Sequence, residues 1–310
     1  MMRQRGIALI TAIILVAIAA VLATAIGFAS AMAARRASTV FGGDQALLAA
    51  EGAEAMAAFV LKQSGSSNGS YSLDEPWAQP YGPFELTDGV TLEFLQIEDL
   101  SAKFNINNLA PNGTDDANAK TVFQQLLKTL NLEEKWAGII ADWIDSDNEP
   151  NNPDGAEDSV YLSQTPPYRA ANIPVSSISE LLALPGFGRD RYNRLAPYIT
   201  ALPPGTKINI CTASAVMLDA LENRIEYSTD PAALANERTN KGCFPTQAVF
   251  SASMTGDTQT LANSMISTNT SYFRLRSFIT IGTARFTLYS LLYSDGGGQI
   301  RPIIRTFGTE

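Results

Sequence analysis

The sequence has 310 residues, 45% of them hydrophobic, and a formal net charge of −9 at pH 7. This composition excludes a disordered protein and argues against a nucleic-acid partner, because binding to phosphate backbones depends on clustered Lys and Arg. The chain contains no histidine, which excludes Ser-His-Asp and Cys-His catalysis, histidine-ligated zinc and the commonest general base.

An apolar run follows a short basic N-terminus. Residues 7 to 34 include no charged side chain, and a helix of that length exceeds the roughly 30 Å hydrocarbon core of a bilayer. Arg3 and Arg5 favour a cytoplasmic N-terminus, although Arg35 and Arg36 reduce the charge difference across the run. We therefore predict a transmembrane helix.

A cleaved secretory signal is the alternative interpretation of this run. The small residues 29 to 31 would allow cleavage just before Met32. However, the apolar run is longer than the usual signal core of about 7 to 15 residues. The two interpretations differ in where the mature chain begins.

A second helical stretch and a hairpin are predicted next. Asp44 follows Gly42 and Gly43 and is a suitable cap for a helix that continues the anchor. Turn-forming residues from 64 to 72 are expected to end that helix. Between residues 84 and 99, two apolar-rich runs flank Thr-Asp-Gly-Val, which is typical of a β-hairpin.

The rest of the chain is predicted to be helical first and then β. From about Thr114 to Leu221 the apolar residues recur at helical spacing. Beyond Cys243, three alternating stretches rich in β-branched and aromatic residues predict strands, around a turn at residues 296 to 298. The order of long helix, strands, helices and strands predicts an α+β fold interrupted by a helical insertion.

An acidic segment gives the densest signal for a functional site. Residues 142 to 162 include no Lys or Arg, and their carboxylates are those of Asp142, Asp145, Asp147, Glu149, Asp154, Glu157 and Asp158. Ca²⁺ takes six to eight oxygen ligands of this kind. The spacing begins like an EF-hand loop, but Pro150 and Ala156 occupy the positions of its glycine and its bidentate glutamate. We predict a site for one or two calcium ions, with a solvated acidic loop as the alternative.

Two further motifs leave alternatives open. Residues 184 to 190 resemble a helix-hairpin-helix turn that binds DNA phosphate, but the acidic chain favours a tight turn that packs two helices. Cys211 and Cys243 could form a disulfide worth about 3 to 4 kcal/mol in an oxidising compartment. Two unrelated buried thiols are the other possibility.

The N-terminus resembles a class III signal, the type found in type IV prepilins. Gly6 directly precedes the long uncharged helix. The resemblance implies that a prepilin peptidase cuts after Gly6 and methylates the new N-terminus, Ile7. In most pilin-like proteins the fifth mature residue is a glutamate that pairs with the N-terminus of a neighbouring subunit, whereas here it is Thr11.

With that departure, the motifs DWIDSD, GAED, PPYRAANIP and SELLALPGFG make nearly the whole chain resemble the K subunit of the type II secretion system. The family implies a pilin-like α/β domain with an inserted domain of sterile-alpha-motif-like helices, calcium sites and a disulfide. The implied divisions are a leader at 1–6, a transmembrane and assembly helix at 7–34, pilin-like parts at 35–107 and 251–310, and the insert at 108–250. The implied calcium ligands are Asp145, Asp147, Glu149, Glu157 and Asp158, and Cys211 with Cys243 fits the disulfide.

The resemblance also implies a function without catalysis. It implies a minor pseudopilin of a Gram-negative bacterium, with one helix in the inner membrane and a periplasmic head. The implied partners are the I and J minor pseudopilins in a tip complex, then the H and major pseudopilins, and the prepilin peptidase. Thr11 and the bulky insert both fit a subunit that initiates or caps a fibre. The alternatives are a minor pilin of a related type IV pilus or competence system, and a secreted calcium-dependent hydrolase.

Overall fold

The computed structural model describes residues 5 to 64, 70 to 87, 89 to 296 and 298 to 308. Its first element is one continuous helix, α1 (Arg5–Ser64). Within it, Ile7–Ser64 is long and apolar enough to cross a membrane by length and composition. Arg3 lies outside the described residues.

The predicted cap at Asp44 is wrong, whereas the predicted helical continuation of the anchor is confirmed. Helix α1 passes through Gly42 and Gly43 without a break, and the space beside each glycine is open. A glycine inside a helix costs about 1 kcal/mol relative to alanine, but it leaves the backbone hydrogen bonds in place. The anchor and the second helical stretch are therefore a single helix.

The remaining elements follow in chain order, and a 3₁₀ turn (Ile178–Ala183) precedes α5. They are β1 (Phe84–Thr87), β2 (Val90–Asp99), β3 (Phe104–Asn105), α2 (Ala117–Thr129), α3 (Trp136–Ile144), α4 (Asp158–Tyr161), α5 (Gly188–Leu195), β4 (Ile199–Thr200), β5 (Ile208–Asn209), α6 (Ala215–Glu222), α7 (Pro231–Glu237), α8 (Gln247–Ser251), α9 (Gly256–Met265), β6 (Ile266–Ser267), β7 (Tyr272–Ile281), β8 (Ala284–Ser294) and β9 (Ile300–Phe307).

Helix α1 and an antiparallel sheet form the helix–sheet unit. The sheet has the strand order β1-β2-β7-β8-β9. The predicted hairpin is confirmed, because β1 pairs with β2 up to Thr87 and Val90, while Asp88 lies outside the described residues. Small buried side chains of α1, including Ala50, Ala53 and Ala57, pack in the core that this helix forms with the sheet.

Residues 100 to 271 form the helical insert, which leaves the sheet after β2 and returns at β7. Its core contains none of the buried residues of the helix–sheet core. Phe104 and Ile106 at one end, and Ala262 and Ile266 at the other, belong to the core of the insert. By packing, the insert therefore extends past residues 108–250 at both ends. The α+β fold with a helical insertion is confirmed.

The glycine-rich turn before α5 serves packing within the insert. Gly186 and Gly188 have φ angles of +77° and +73°, a region that glycine enters without steric cost. The guanidinium of Arg191 forms hydrogen bonds to the Glu133 carboxylate, and that of Arg194 donates to the Asn131 carbonyl. These arginines thus bind α5 to the segment between α2 and α3.

Candidate metal centre and assembly helix

Three carboxylates meet inside the insert. Asp142, Asp145 and Glu157 each offer an oxygen atom, and these atoms lie within 4.8 Å of one another. Asp142 belongs to α3, Asp145 is the residue that ends this helix, and Glu157 directly precedes α4. All three are buried, with 0%, 3% and 3% of their surface exposed. We call this group the carboxylate cluster.

The loop between α3 and α4 closes around Asp142. The Asp142 carboxylate accepts hydrogen bonds from the backbone N–H of Asn151 at 3.1 Å and of Ala156 at 2.7 Å. A Cβ atom at Gly155 would lie 2.2 Å from the Asn151 nitrogen, and one at Gly138 would lie 2.6 Å from the Asp154 carbonyl oxygen. The two glycines therefore permit the close backbone approach that brings Glu157 back to α3.

Several oxygen atoms of the cluster have no hydrogen-bond partner in the part of the chain that the structure describes. They are Oδ1 of Asp145 and both carboxylate oxygens of Glu157. Among the described residues, no Lys or Arg forms a salt bridge with any member of the cluster. Leaving buried carboxylates without donors or a cation is costly, so the arrangement calls for a positive charge.

The electrostatics of the cluster agree with this conclusion. Burial, followed by the charge of neighbouring carboxylates, raises the pKa of Asp145 to about 7 and that of Glu157 to about 8. Burial also raises the pKa of Asp142, although its hydrogen bonds from Asn151 and Ala156 oppose the shift. The donor set consists of oxygen atoms alone, which suits hard cations such as Ca²⁺ and Mg²⁺. The residues present fit a calcium ion.

Two acidic residues near the cluster, Asp115 and Asp158, are paired with basic side chains. Lys120 Nζ lies 3.0 Å from Asp115 Oδ2. Asp158 accepts a hydrogen bond from the Ala170 amide at 3.1 Å and lies 3.5 Å from Arg169 Nη1. Asp115 and Asp158 therefore have cationic partners that the cluster lacks.

The structure unites part of the predicted ligand set. Asp145 and Glu157 lie in the cluster, whereas Asp147 and Glu149 are exposed and Asp158 is half-buried beside it. Sequence reasoning left Asp142 out of the ligand set. The sequence feature that could have identified Asp142 as a ligand is its position three residues before Asp145, because residues three apart lie on the same face of a helix.

The predicted disulfide is present. Cys211 and Cys243 are joined, at a sequence separation of 32. Cys211 is fully buried and Cys243 is 7% exposed. The bond connects the segment that follows β5 to the loop that precedes Phe244.

Helix α1 presents a second functional surface. Phe41, Leu48 and Phe59 are exposed by 69%, 67% and 62%. At about 100° per residue they lie within about 20° of one another around the helix, away from the alanines that face the sheet. The most apolar window of α1 is 0% buried. This apolar stripe requires a membrane or another protein surface to cover it.

The positions predicted for processing and assembly lie near the beginning of α1. Gly6 and Ile7 follow its first residue, Arg5. The Thr11 hydroxyl donates to the carbonyls of Ile7 at 3.1 Å and Ala8 at 3.0 Å. The fifth residue after Gly6 thus carries no charge and has its hydrogen bonds within the helix.

Comparison with known proteins places the chain among secretion proteins. A family model described as type II secretion system protein K matches residues 102–204, and one described as PilX N-terminal matches residues 5–53. Type II secretion system protein K of Pseudomonas aeruginosa is 32% identical over 98% of this chain and 93% of that protein. The Klebsiella pneumoniae protein of the same name is 32% identical over 99% of this chain and 95% of that protein.

A solved structure agrees with these sequence matches. It is the crystal structure of the GspK-GspI-GspJ complex from the type 2 secretion system of enterotoxigenic Escherichia coli. One chain of this complex superimposes with a TM-score of 0.76 and 28% sequence identity, covering 89% of this chain and 100% of its own length.

Proposed function

The chain belongs to the type II secretion system protein K family, whose members are minor pseudopilins, and we propose that it initiates and caps the tip of the pseudopilus. Helix α1 is the observation that carries this proposal. It extends from a folded head and exposes large apolar side chains from Ile7 to Phe28 and again at Phe41, Leu48 and Phe59. Such a helix can be stored in a membrane and then packed against the helices of neighbouring subunits.

The position of the insert supports a place at the tip. The insert joins the sheet at the end of β2 and the start of β7. Next to this junction, Asn269 forms a β-bridge with Ser70, which follows the C-terminal end of α1. The insert therefore lies at the end of the head that is remote from the apolar N-terminal segment. A bulky domain there obstructs the addition of another subunit above it.

We propose partners and topology on the same basis. The similar solved structure is a complex of proteins named K, I and J, so the counterparts of I and J are the proposed neighbours of this chain. Arg3 and Arg5 favour a cytoplasmic N-terminus, which places the head in the periplasm of a Gram-negative cell. The Cys211–Cys243 disulfide supports an oxidising compartment. The proposed role is structural and involves no catalysis.

We also propose that the carboxylate cluster holds calcium. Asp142, Asp145 and Glu157 are the residues placed to bind it, and their unpartnered oxygen atoms support the proposal. The ion would neutralise the buried negative charge and hold α3, α4 and the loop between them together. Its contribution would be to the stability of the insert and not to a reaction.

Cleavage of the N-terminus by a prepilin peptidase tests the proposal that this chain is a pseudopilin. In the native membrane, we expect a mature chain that begins with N-methylated Ile7, measured by intact mass and N-terminal sequencing. Gly6→Val should block this processing, because a bulky residue then occupies the cut site. Gly27→Val, within the same helix, is the matched control and should be processed normally. A mature chain beginning near Met32 would contradict the proposal.

The cap is tested at the fifth mature position. Thr11→Glu introduces a carboxylate that can pair with the N-terminus of a further subunit, so we expect fibres that continue past this subunit and a several-fold change in fibre length. Thr11→Gln has the same shape without the charge and should behave as the parent. Both variants must first be shown to reach the membrane. Equal fibre lengths in all three chains would count against a cap.

A further inference from the structure

The junction between the helix–sheet unit and the insert is polar. The two hydrophobic cores share no buried residue. Between them lies Asp99, the last residue of β2, which is 3% exposed. Its carboxylate accepts hydrogen bonds from the Ser101 amide at 2.7 Å, the Thr212 hydroxyl at 2.5 Å and the Thr270 hydroxyl at 2.6 Å. Asp99 thus links the start of the insert, its body and its end.

Asn209 extends this polar junction to the segment after α1. Its side-chain amide donates to Asp99 at 3.1 Å, to the Thr270 hydroxyl at 2.9 Å and to the Tyr71 carbonyl at 3.2 Å. Its side-chain oxygen accepts the backbone N–H of Cys211 at 2.9 Å. The first half of the disulfide is therefore hydrogen-bonded directly to the residue that binds both units.

The second half of the disulfide carries a tight loop against the helix–sheet unit. Asn240 and Cys243 exchange two backbone hydrogen bonds of 2.9 and 3.0 Å. Inside this loop, the Lys241 carbonyl accepts a hydrogen bond from the Ser72 hydroxyl at 2.6 Å. Gly242 has a φ of +77°, and a Cβ atom there would lie 2.6 Å from Cγ of Asp74. The loop backbone is in close contact with the segment that leads from α1 to the sheet.

We propose that the Cys211–Cys243 disulfide is a latch between the two units. It fixes the loop of residues 240 to 243 beside Asn209, so that the loop can hold residues 72 to 74 and set the orientation of the insert. Both cysteines belong to the insert. If the disulfide only stabilised the insert, the loop that carries Cys243 would not need to contact the helix–sheet unit. The contacts of Lys241 and Gly242 extend its effect across the junction.

Formation of the latch follows ordinary thiol chemistry. The two thiols lose two protons and two electrons to an oxidant of the disulfide class, which becomes a dithiol as the sulfur–sulfur bond forms. Both cysteines are buried in the core of the insert. We therefore expect the bond to form before that core closes around them.

The experiment measures the orientation of the insert in the full chain in detergent. Spin labels on unnatural amino acids at Glu93 and Glu134, which are exposed on the sheet and on the insert, report the distance between the units. We expect Cys211→Ala/Cys243→Ala to broaden the distance distribution and to increase amide exchange at Ser101 by about tenfold or more through local opening. Protection inside α2 and β8 should be unchanged, because their buried residues lie in the separate cores of the insert and of the helix–sheet unit.

A second pair of variants tests the contact between the loop and the helix–sheet unit while the disulfide stays intact. Gly242→Ala leaves both cysteines in place but forces a methyl group against Asp74, and it should broaden the distance distribution in the same way. Gly205→Ala is the matched control, because its φ is +84° and the space beside it is open.

Two results would overturn the latch. One is a narrow, unchanged distance with normal exchange at Ser101 in the cysteine variant. The other is a Gly242→Ala chain that matches Gly205→Ala in its distance distribution. If the cysteine variant loses protection from amide exchange throughout the insert, the insert itself has unfolded. The comparison of Gly242→Ala with Gly205→Ala then decides whether the latch exists.

Discussion

Removing divalent cations from the full chain is expected to lower its melting temperature by about 5 to 10 °C. A cation present at about 100 times its dissociation constant stabilises the folded state by about 2.7 kcal/mol. For a folded unit of about 150 to 250 residues, each kcal/mol shifts the melting temperature by about 2 to 4 °C. Chelation should therefore be visible in a thermal melt, and added Ca²⁺ should reverse it. Mg²⁺ should restore less, because it requires a stricter octahedral geometry.

Neutral variants of the carboxylate cluster are expected to be less stable than the parent when calcium is present and more stable than the parent when it is absent. Asp145→Asn or Glu157→Gln removes a calcium ligand, so each variant should melt below the parent when calcium is present. In chelator, the same variants should melt above the parent, because they remove a carboxylate whose pKa is raised first by burial and then by repulsion from its neighbours. A merely structural role for these side chains would not produce the reversal.

The matched control for these variants is Glu134→Gln, which removes an exposed carboxylate of the insert away from the cluster. It should respond to chelator as the parent does. Asp147→Asn and Glu149→Gln test the wider ligand set predicted from the sequence, and their exposure predicts smaller effects than those in the cluster. The calcium proposal fails if the melting temperature does not change in samples that elemental analysis shows to be free of metal.

Charge density located the candidate metal site in the sequence, but it could not select the ligands. Seven carboxylates lie between residues 142 and 158, and all are equivalent in a pattern that only counts charges. The selection depends on the path of the loop, which Gly138 and Gly155 allow to pass close to Asp142. Such close approaches arise from tertiary packing, which no local pattern encodes.

Helices and strands were predictable to different degrees. The strands β7 and β8 were predictable because alternation reflects one buried face, as seen at Phe273, Leu275 and Ile279. The absence of a helix boundary at Asp44 was not predictable, because the local cost of two glycines is small beside the length of helix around them. The division of the chain between its two cores could not be predicted from the sequence either, since Phe104 and Ile266 join the core of the insert only through long-range contacts.

The largest expected effect outside the insert concerns a charge buried between α1 and the sheet. The Glu54 carboxylate accepts hydrogen bonds from the Ser290 hydroxyl at 2.5 Å and from Arg305 Nε at 2.8 Å and Nη2 at 2.6 Å. The side chain of Glu54 is 5% exposed and that of Arg305 is 41% exposed. Arg305 lies on β9, an edge strand of the sheet, opposite Ser290 on β8. This ion pair connects the last strand to α1.

We expect Arg305→Ala to lower the free energy of unfolding by about 1 to 3 kcal/mol. Breaking a fully buried ion pair costs about 3 to 5 kcal/mol, and the exposure of Arg305 reduces that figure because water can reach the remaining carboxylate. Urea unfolding of the full chain in detergent measures the change. Glu54→Gln should be less harmful in the Arg305→Ala background than in the parent, because the uncompensated charge is then removed.

Arg301→Ala is the control on the same strand. Its guanidinium lies 5.7 Å from the centre of the Tyr293 ring and the residue is exposed, so the loss should stay below about 1 kcal/mol. Equal losses for Arg301→Ala and Arg305→Ala would show that β9 is held by its strand pairing alone. A larger loss for Arg305→Ala would mean that α1 and the final strand act as one body. Force applied to α1 would then pass directly into the sheet that carries the insert.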